Sequence, residues 1–238
     1  MISHKLKFIF IHIPKTSGNS LSLLLRDCLA NRVIQQSSPM GIKQGIDIIC
    51  EINKTSIKHE DIRYYEKLYG HKIKDYFKFT IVRNPYDRIL SFYFWAKGNN
   101  QNFNRNEFIN FIKKSKSYQY KDISQYSYIS KEFHIVHYEN LIDELKQIRF
   151  FQGKCSFDNY PHLNASANRK VNQRGIYDKE LKDLVYHKFK KDFELFGYDR
   201  EYQESHHESP TSTFIKPDEK IERWNMRQII ELENRKIQ

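Results

Sequence analysis

Apolar and polar positions alternate in short blocks over the first two hundred residues of the chain. Phe8, Ile9, Phe10, Ile11 and Ile13 make a β-type run that stops at Pro14, and residues 5–13 read as a strand. The run Leu21 to Leu25 then opens a helix over about 18–30. Residues 31–60 are mixed and polar and carry no firm assignment. A short helix over 61–69 leads to Gly70-His71. A strand over 77–83 and a helix over 85–97 follow, then the loop Gly98-Asn99-Asn100-Gln101-Asn102 and a helix over 106–114. Phe133 to Tyr138 reads as another strand, with a helix over about 140–148. Between Asp178 and Phe196 apolar residues fall at 181, 184, 185, 189, 193 and 196, one helical face closed by Gly197. Strands and helices in alternation predict an α/β sheet in one domain over residues 1–200.

Beyond residue 200 the pattern is lost. Glu201 to Pro217 is rich in Glu, Ser, His, Thr and Pro, as a linker is. The end of the chain scatters Ile221, Trp224, Met226, Ile229, Ile230 and Leu232 among charges. Residues 201–238 therefore read as a polar linker and a C-terminal helix that packs elsewhere or on a partner. No internal repeat is visible.

The polar residues between the first strand and helix carry chemistry. Strand, tight polar loop and helix make a cradle for phosphate, because loop amides and the helix N-terminus point at the anion. Here Pro14-Lys15-Thr16-Ser17-Gly18-Asn19-Ser20 supplies a lysine at the mouth, hydroxyls, and a glycine that lets the backbone approach closely. The order differs from G-x-x-x-x-G-K-[ST], because Lys15 precedes the glycine. The competing reading is an ordinary β–α turn with a surface lysine. A second segment of the same build runs from Phe77 to Lys97. Arg83 ends its strand, Pro85 opens its helix and Ser91 follows two turns on. Arginine suits phosphate because its planar fork donates paired hydrogen bonds. The plainer alternative makes Arg83 and Arg88 surface residues salt-bridged around Asp87.

Composition narrows the partners. Forty basic against twenty-nine acidic residues in 238 give a net charge of +11, with a pI near 9.4. A positive field raises the local concentration of anionic ligands. No zinc-finger spacing, RNP-like motif or helix-turn-helix signature accompanies it, so nucleic acid is not the expected partner. Cys28, Cys50 and Cys155 are three widely spaced cysteines, read as buried free thiols in a reducing compartment. The chain enters its first strand almost at once, leaving no room for a signal peptide, and no apolar run reaches membrane-spanning length. A cytoplasmic protein is expected.

Together the two polar segments resemble those of the sulfotransferases, specifically the Golgi-type carbohydrate sulfotransferases and their bacterial relatives. The first corresponds to the loop that grips the 5′-phosphosulfate of 3′-phosphoadenosine 5′-phosphosulfate (PAPS) in that family. Val82-Arg83-Asn84-Pro85-Tyr86-Asp87-Arg88-Ile89-Leu90-Ser91-Phe92-Tyr93 corresponds to the segment that grips its 3′-phosphate. The resemblance continues through His137-Tyr138-Glu139-Asn140-Leu141, His162-Leu163-Asn164-Ala165-Ser166 and Asp192 to Tyr198, in family order. Asn19 stands where threonine is commoner. The family carries a P-loop-like three-layer fold, with a central, mainly parallel sheet flanked by helices. The Golgi enzymes are anchored by a membrane helix, so the lack of one here points to a bacterial enzyme.

The resemblance implies in-line sulfuryl transfer from PAPS to a hydroxyl, expected on a saccharide, without a metal ion. Lys15 would stabilise the leaving oxygen, Thr16, Ser17, Gly18, Asn19 and Ser20 would hold the 5′-phosphate, and Arg83 and Ser91 the 3′-phosphate. A base must take the acceptor proton, and histidine titrates in the right range. His71 is the choice, because a Gly-His precedes the corresponding strand in uronyl 2-O-sulfotransferases and supplies the base there. A histidine satisfied in a turn is the competing reading. His12 reads as a core or supporting residue, with His137 and His162 as weaker candidates. Tyr118, Tyr120, Tyr126 and Tyr128 around Gln125 suit a sugar site or plain packing. Asn164, Ser166, Arg169 and Lys170 suit nucleotide, an acidic acceptor or solvent. Two other classes stay open: a nucleotide kinase, disfavoured by the motif order, and a nucleotide-binding protein without catalysis.

Overall fold

The computed structural model describes residues 1–4, 6–36, 48–49, 59–98, 102–115, 123–130, 132–158, 160 and 175–201. The chain folds in the order β1 (Ile2–Ser3), β2 (Phe8–Ile11), α1 (Gly18–Gln36), β3 (Ile48–Ile49), α2 (Ile62–Tyr69), β4 (Phe77–Val82), α3 (Pro85–Ala96), α4 (Arg105–Lys114), β5 (His134–His137), α5 (Leu141–Gln147) and α6 (Lys179–Phe196). Short 3₁₀ turns stand at Gly70–Ile73, Gln125–Tyr128 and Tyr138–Asn140.

Among the described residues the strands form one sheet in the order β3-β1-β2-β4-β5. β2, β4 and β5 run parallel, with Phe10 beside Phe79 and Ile81 beside Val136. β1 and β3 are two-residue strands added antiparallel at one edge. The expected strand over 5–13 is shorter at both ends, running from Phe8 to Ile11. The chain turns back between Ser3 and Phe8, with Lys7 in the left-handed region (φ 53) and the Leu6 amide donating to Ser3 Oγ at 3.0 Å.

Helices cover both faces, which is why the parallel strands read as near-continuous apolar runs. Phe8, Phe10, Phe79, Ile81 and Val136 pack against Leu21, Leu25 and Leu29 of α1 and Leu141 and Leu145 of α5. Ile9, Ile11 and Val82 face the other way, onto Ile62 and Tyr65 of α2. A third cluster joins α3, α4 and α6 through Tyr86, Leu90, Phe108, Leu181, Val185 and Phe193. This is the mixed α/β layering that the alternation predicts.

The helix ends follow their caps. Asn84 accepts from the Tyr86 amide ahead of Pro85, and Asp178 accepts from the Leu181 amide at 2.9 Å. Gly197 closes α6 in the left-handed conformation (φ 70). α1 runs on to Gln36, past the expected end near 30, because no glycine or proline interrupts residues 31–36.

The cysteine expectation is overturned. Cys28 of α1 and Cys155, in the segment after α5, form a disulfide with a Cα–Cα distance of 5.3 Å. The packing of α1 and α5 on one sheet face brings these residues together across 127 positions of sequence. The inference from free thiols to a reducing compartment loses its premise. Among the described residues no helix is long and apolar enough to cross a membrane. Cys50, residues 99–101, Tyr118, Tyr120, residues 161–174 with His162, Asn164, Ser166, Arg169 and Lys170, and everything beyond Glu201 lie outside the described residues.

Candidate active site

The first polar loop leaves the C-terminal end of β2 through His12, Ile13 and Pro14. Lys15 (φ 68) and Ser17 (φ 70) both adopt the left-handed conformation. For residues with a Cβ this costs on the order of 1–3 kcal/mol each, so the surroundings must impose it. Thr16 Oγ1 donates to the Ile13 carbonyl at 2.8 Å. The Tyr160 hydroxyl donates to the Ser17 carbonyl at 3.3 Å and lies 3.1 Å from Ser17 Oγ. Burial pushes the Tyr160 phenol up, which keeps it a donor. Left-handed residues of this kind form a nest, whose successive N–H groups turn toward one concavity. The amides at the start of α1 lie next in sequence, at the N-terminal end of the helix dipole.

Gly18 also has a packing task that the sequence did not disclose. A Cβ there would lie 2.0 Å from His12 Cδ2, so the missing side chain makes room for a histidine ring. Thr16 is likewise fully buried with its hydroxyl donated inward, and can reach an anion only through its amide. Ser20 is buried, and Asn19 is half-buried beside it.

The second segment meets the first. Arg88 Nε donates to the Pro14 carbonyl at 3.0 Å and its Nη1 to the Ile123 carbonyl at 2.8 Å. Arg83 Nη1 reaches the Lys15 carbonyl at 3.4 Å. Arg88 is only 2% exposed, so it is a strut inside the loop and not a surface residue. The Arg83 guanidinium lies 4.3 Å from the centre of the Tyr138 ring, and its Nε is buried with no hydrogen-bond partner. Arg88, Ser91 and Trp95 share one face of α3 by their three- and four-residue spacing. Ser91 is buried, and the Trp95 ring centre stands 5.9 Å from Lys15 Nζ. Two polar segments about seventy residues apart in sequence thus form one site at the C-terminal edge of the parallel strands.

A model of the sulfotransferase family matches residues 1–199, the whole of this architecture. The chain belongs to the sulfotransferase family. No curated protein and no solved structure matches it.

In this sulfotransferase Arg83 is held by residues that the sequence did not single out for that role. Gln125 Oε1 accepts from the Arg83 amide and its Nε2 donates to the Arg83 carbonyl, both at 2.8 Å. Asp192 of α6, fully buried, accepts from the Gln125 amide at 2.8 Å and the Tyr126 amide at 2.9 Å. Glu139 accepts from the Asn84 amide at 2.8 Å and from the Tyr198 hydroxyl at 2.9 Å. Burial, then the Glu139 carboxylate, pushes the Tyr198 phenol far up, so it stays a donor. Glu139 and Asp192 lie inside sequence segments that resembled the family, but nothing local shows that they support the arginine. The sugar-site reading of Gln125 and Tyr128 is corrected: both are buried, and Gln125 is committed to Arg83. His137 is held between Glu144 and the Phe196 carbonyl, a join between β5, α5 and α6.

His71 is not brought to the loop. It is exposed in the 3₁₀ turn before β4, whereas Lys15 and Arg83 follow the ends of β2 and β4. The six residues of β4 alone span about 20 Å. The segment entering α2 makes the separation plain, because it leaves His12 at His59, and α2 ends at Tyr69, packed on His4 just after β1. Among the described residues, the histidines at the loop are His12 and His59. The His59 Nδ1 lies 2.9 Å from the His12 carbonyl, and the two rings meet edge to face at 4.6 Å. His59 escaped the sequence reading because it ends the stretch 31–60, which offered no periodicity.

Proposed function

We propose that this sulfotransferase transfers the sulfuryl group of PAPS to a hydroxyl of a saccharide. The observation that carries the donor assignment is the buried, unpartnered Nε of Arg83 beside a left-handed backbone nest. A buried guanidinium donor without an acceptor is costly, and a bound phosphate oxygen would satisfy it. Arg83 and Ser91 would hold the 3′-phosphate. The amides from Lys15 to Ser20 and the start of α1 would hold the 5′-phosphate. Lys15 would meet the charge that develops on the leaving phosphate oxygen as the sulfur passes to the acceptor oxygen.

Two features support a saccharide. Trp95 is 42% exposed beside Lys15, and an indole face suits the apolar face of a sugar ring. The net charge of +11 favours acceptors that carry uronate or sulfate groups.

The test is thermal stabilisation by adenosine 3′,5′-bisphosphate without magnesium, compared with ATP plus magnesium. It is followed by transfer from labelled PAPS to a panel of neutral and uronic-acid oligosaccharides. Stabilisation by the bisphosphate together with labelled sugar supports the proposal. Preference for ATP with magnesium would make the chain a kinase, and stabilisation without transfer to any acceptor a binding protein.

A further inference from the structure

The reaction needs a group to take the acceptor proton, and His71 lies at the wrong edge of the sheet. Among the described residues, two histidines border the loop. His12 is 7% exposed, stacked on Phe10 with its ring centre 6.0 Å away, and its ring fills the space over Gly18. It is a packing element, closed in by the first residue of α1. His59 meets that ring edge to face at 4.6 Å, half-buried, at the start of the segment leading into α2.

The contact between them fixes the chemistry of His59. A carbonyl oxygen only accepts, so the 2.9 Å contact with the His12 carbonyl requires a hydrogen on His59 Nδ1. In the neutral ring the lone pair therefore sits on Nε2. The same backbone that runs on into Lys15 thereby sets both the orientation and the tautomer of the ring. An imidazole oriented through Nδ1 by a fixed acceptor is the arrangement of a general base acting through Nε2.

We infer that His59 is the general base of the transfer, its tautomer fixed by the His12 carbonyl; the inference rests on the function proposed above. His59 Nε2 takes the proton of the acceptor hydroxyl. The oxygen's electron pair forms the new O–S bond. The S–O bond to the 5′-phosphate breaks, and its pair leaves on the phosphate oxygen beside Lys15. The products are the sulfate ester, adenosine 3′,5′-bisphosphate and one proton held on His59. The proton then passes to solvent.

The test uses the full chain carrying His59→Ala and, separately, His59→Asn. Asparagine keeps an N–H donor near the Nδ1 position, so it preserves the bond to the His12 carbonyl while removing the base. Transfer from labelled PAPS is measured with the most active oligosaccharide of the panel, alongside thermal stabilisation by adenosine 3′,5′-bisphosphate. The expected result is a fall in kcat of about 100- to 10,000-fold in both variants. Stabilisation by the bisphosphate should be unchanged, and added imidazole should restore part of the rate of His59→Ala. Near wild-type turnover in His59→Asn would reduce His59 to a positioning residue and overturn the inference. Loss of bisphosphate stabilisation in both variants would overturn it too, by making the effect one on the donor site. Should His59→Ala not fold, the asparagine variant decides alone. Absence of transfer by the wild-type chain would sink the proposed function, and this inference with it.

Discussion

Between Pro14 and Ser20 the hydroxyls of Thr16 and Ser17 are turned onto the protein itself, and the backbone bends through two left-handed residues. Between Arg83 and Ser91 the relation is reversed. There the backbone of Arg83 is fully engaged by Gln125, and the side chain carries the unsatisfied donor. The first segment is a shape, enforced by packing and by carbonyl acceptors. The second is a charge on a scaffold, with Gln125, Asp192 and Glu139 behind it. Changes to the first segment should therefore act through geometry, and a change at Arg83 through loss of a single donor group. Lys15 is the exception within the first, since its side chain alone supplies full charge.

The largest expected effect comes from that exception. Lys15→Ala keeps the left-handed backbone, since alanine and lysine carry the same Cβ, and removes only the ammonium. Turnover with labelled PAPS should fall by about 100- to 1000-fold with the fold intact, the usual loss for one charge-stabilising donor. Turnover near that of the wild type would take Lys15 out of the mechanism.

Next comes the covalent support of the first segment. The disulfide Cys28–Cys155 ties α1 to the stretch leading to Tyr160, whose hydroxyl caps Ser17. A disulfide typically contributes about 2–4 kcal/mol, toward the upper end for a long loop, and this one closes more than a hundred residues. Cys28→Ser should lower stability by that amount in urea unfolding, and reductant should lower the wild type to the same level. Equal stability with and without reductant would show that the clasp is absent in solution.

The second segment is broken at its tip. Arg83→Ala should weaken adenosine 3′,5′-bisphosphate by about 10- to 100-fold, the 1.5–3 kcal/mol of a charged hydrogen bond. Binding of adenosine 5′-phosphosulfate, which lacks the 3′-phosphate, should change far less. Calorimetry of the two ligands separates the outcomes, and equal losses for both would place Arg83 elsewhere than at the 3′-phosphate.

The two segments also differ in how far the sequence discloses them. Each strand–loop–helix unit is local, so Pro14 to Ser20 and Arg83 to Ser91 are visible from turn chemistry and periodicity alone. What holds them is not local. Gln125 lies 42 positions from Arg83, Asp192 lies 67 from Gln125, and Tyr160 lies 143 from Ser17. No periodicity links such partners, so a buried carboxylate such as Asp192 reads as one more charge on a helix. The same limit hid the disulfide, and the two-residue strands β1 and β3 are too short to show alternation. The direction of a parallel strand is a further case. The sequence shows that His71 is twelve residues from Arg83, but only the fold shows that β4 lies between them.

That last point yields the smallest expected effect. His71 is exposed, and it sits in a turn before β4 rather than after it. His71→Ala should leave kcat and donor affinity within about twofold of the wild type, the behaviour of a surface substitution remote from the site. Its neighbour Gly70, at φ 55, sets the turn and is untouched by the change. Measured beside His59→Asn on the same acceptor, it separates two histidines that the sequence places only twelve residues apart. A large fall in His71→Ala with full activity in His59→Asn would mean that a proton can leave from the far edge of the sheet. It would also mean that the C-terminal edge, with its nest and paired arginines, is not where the acceptor binds.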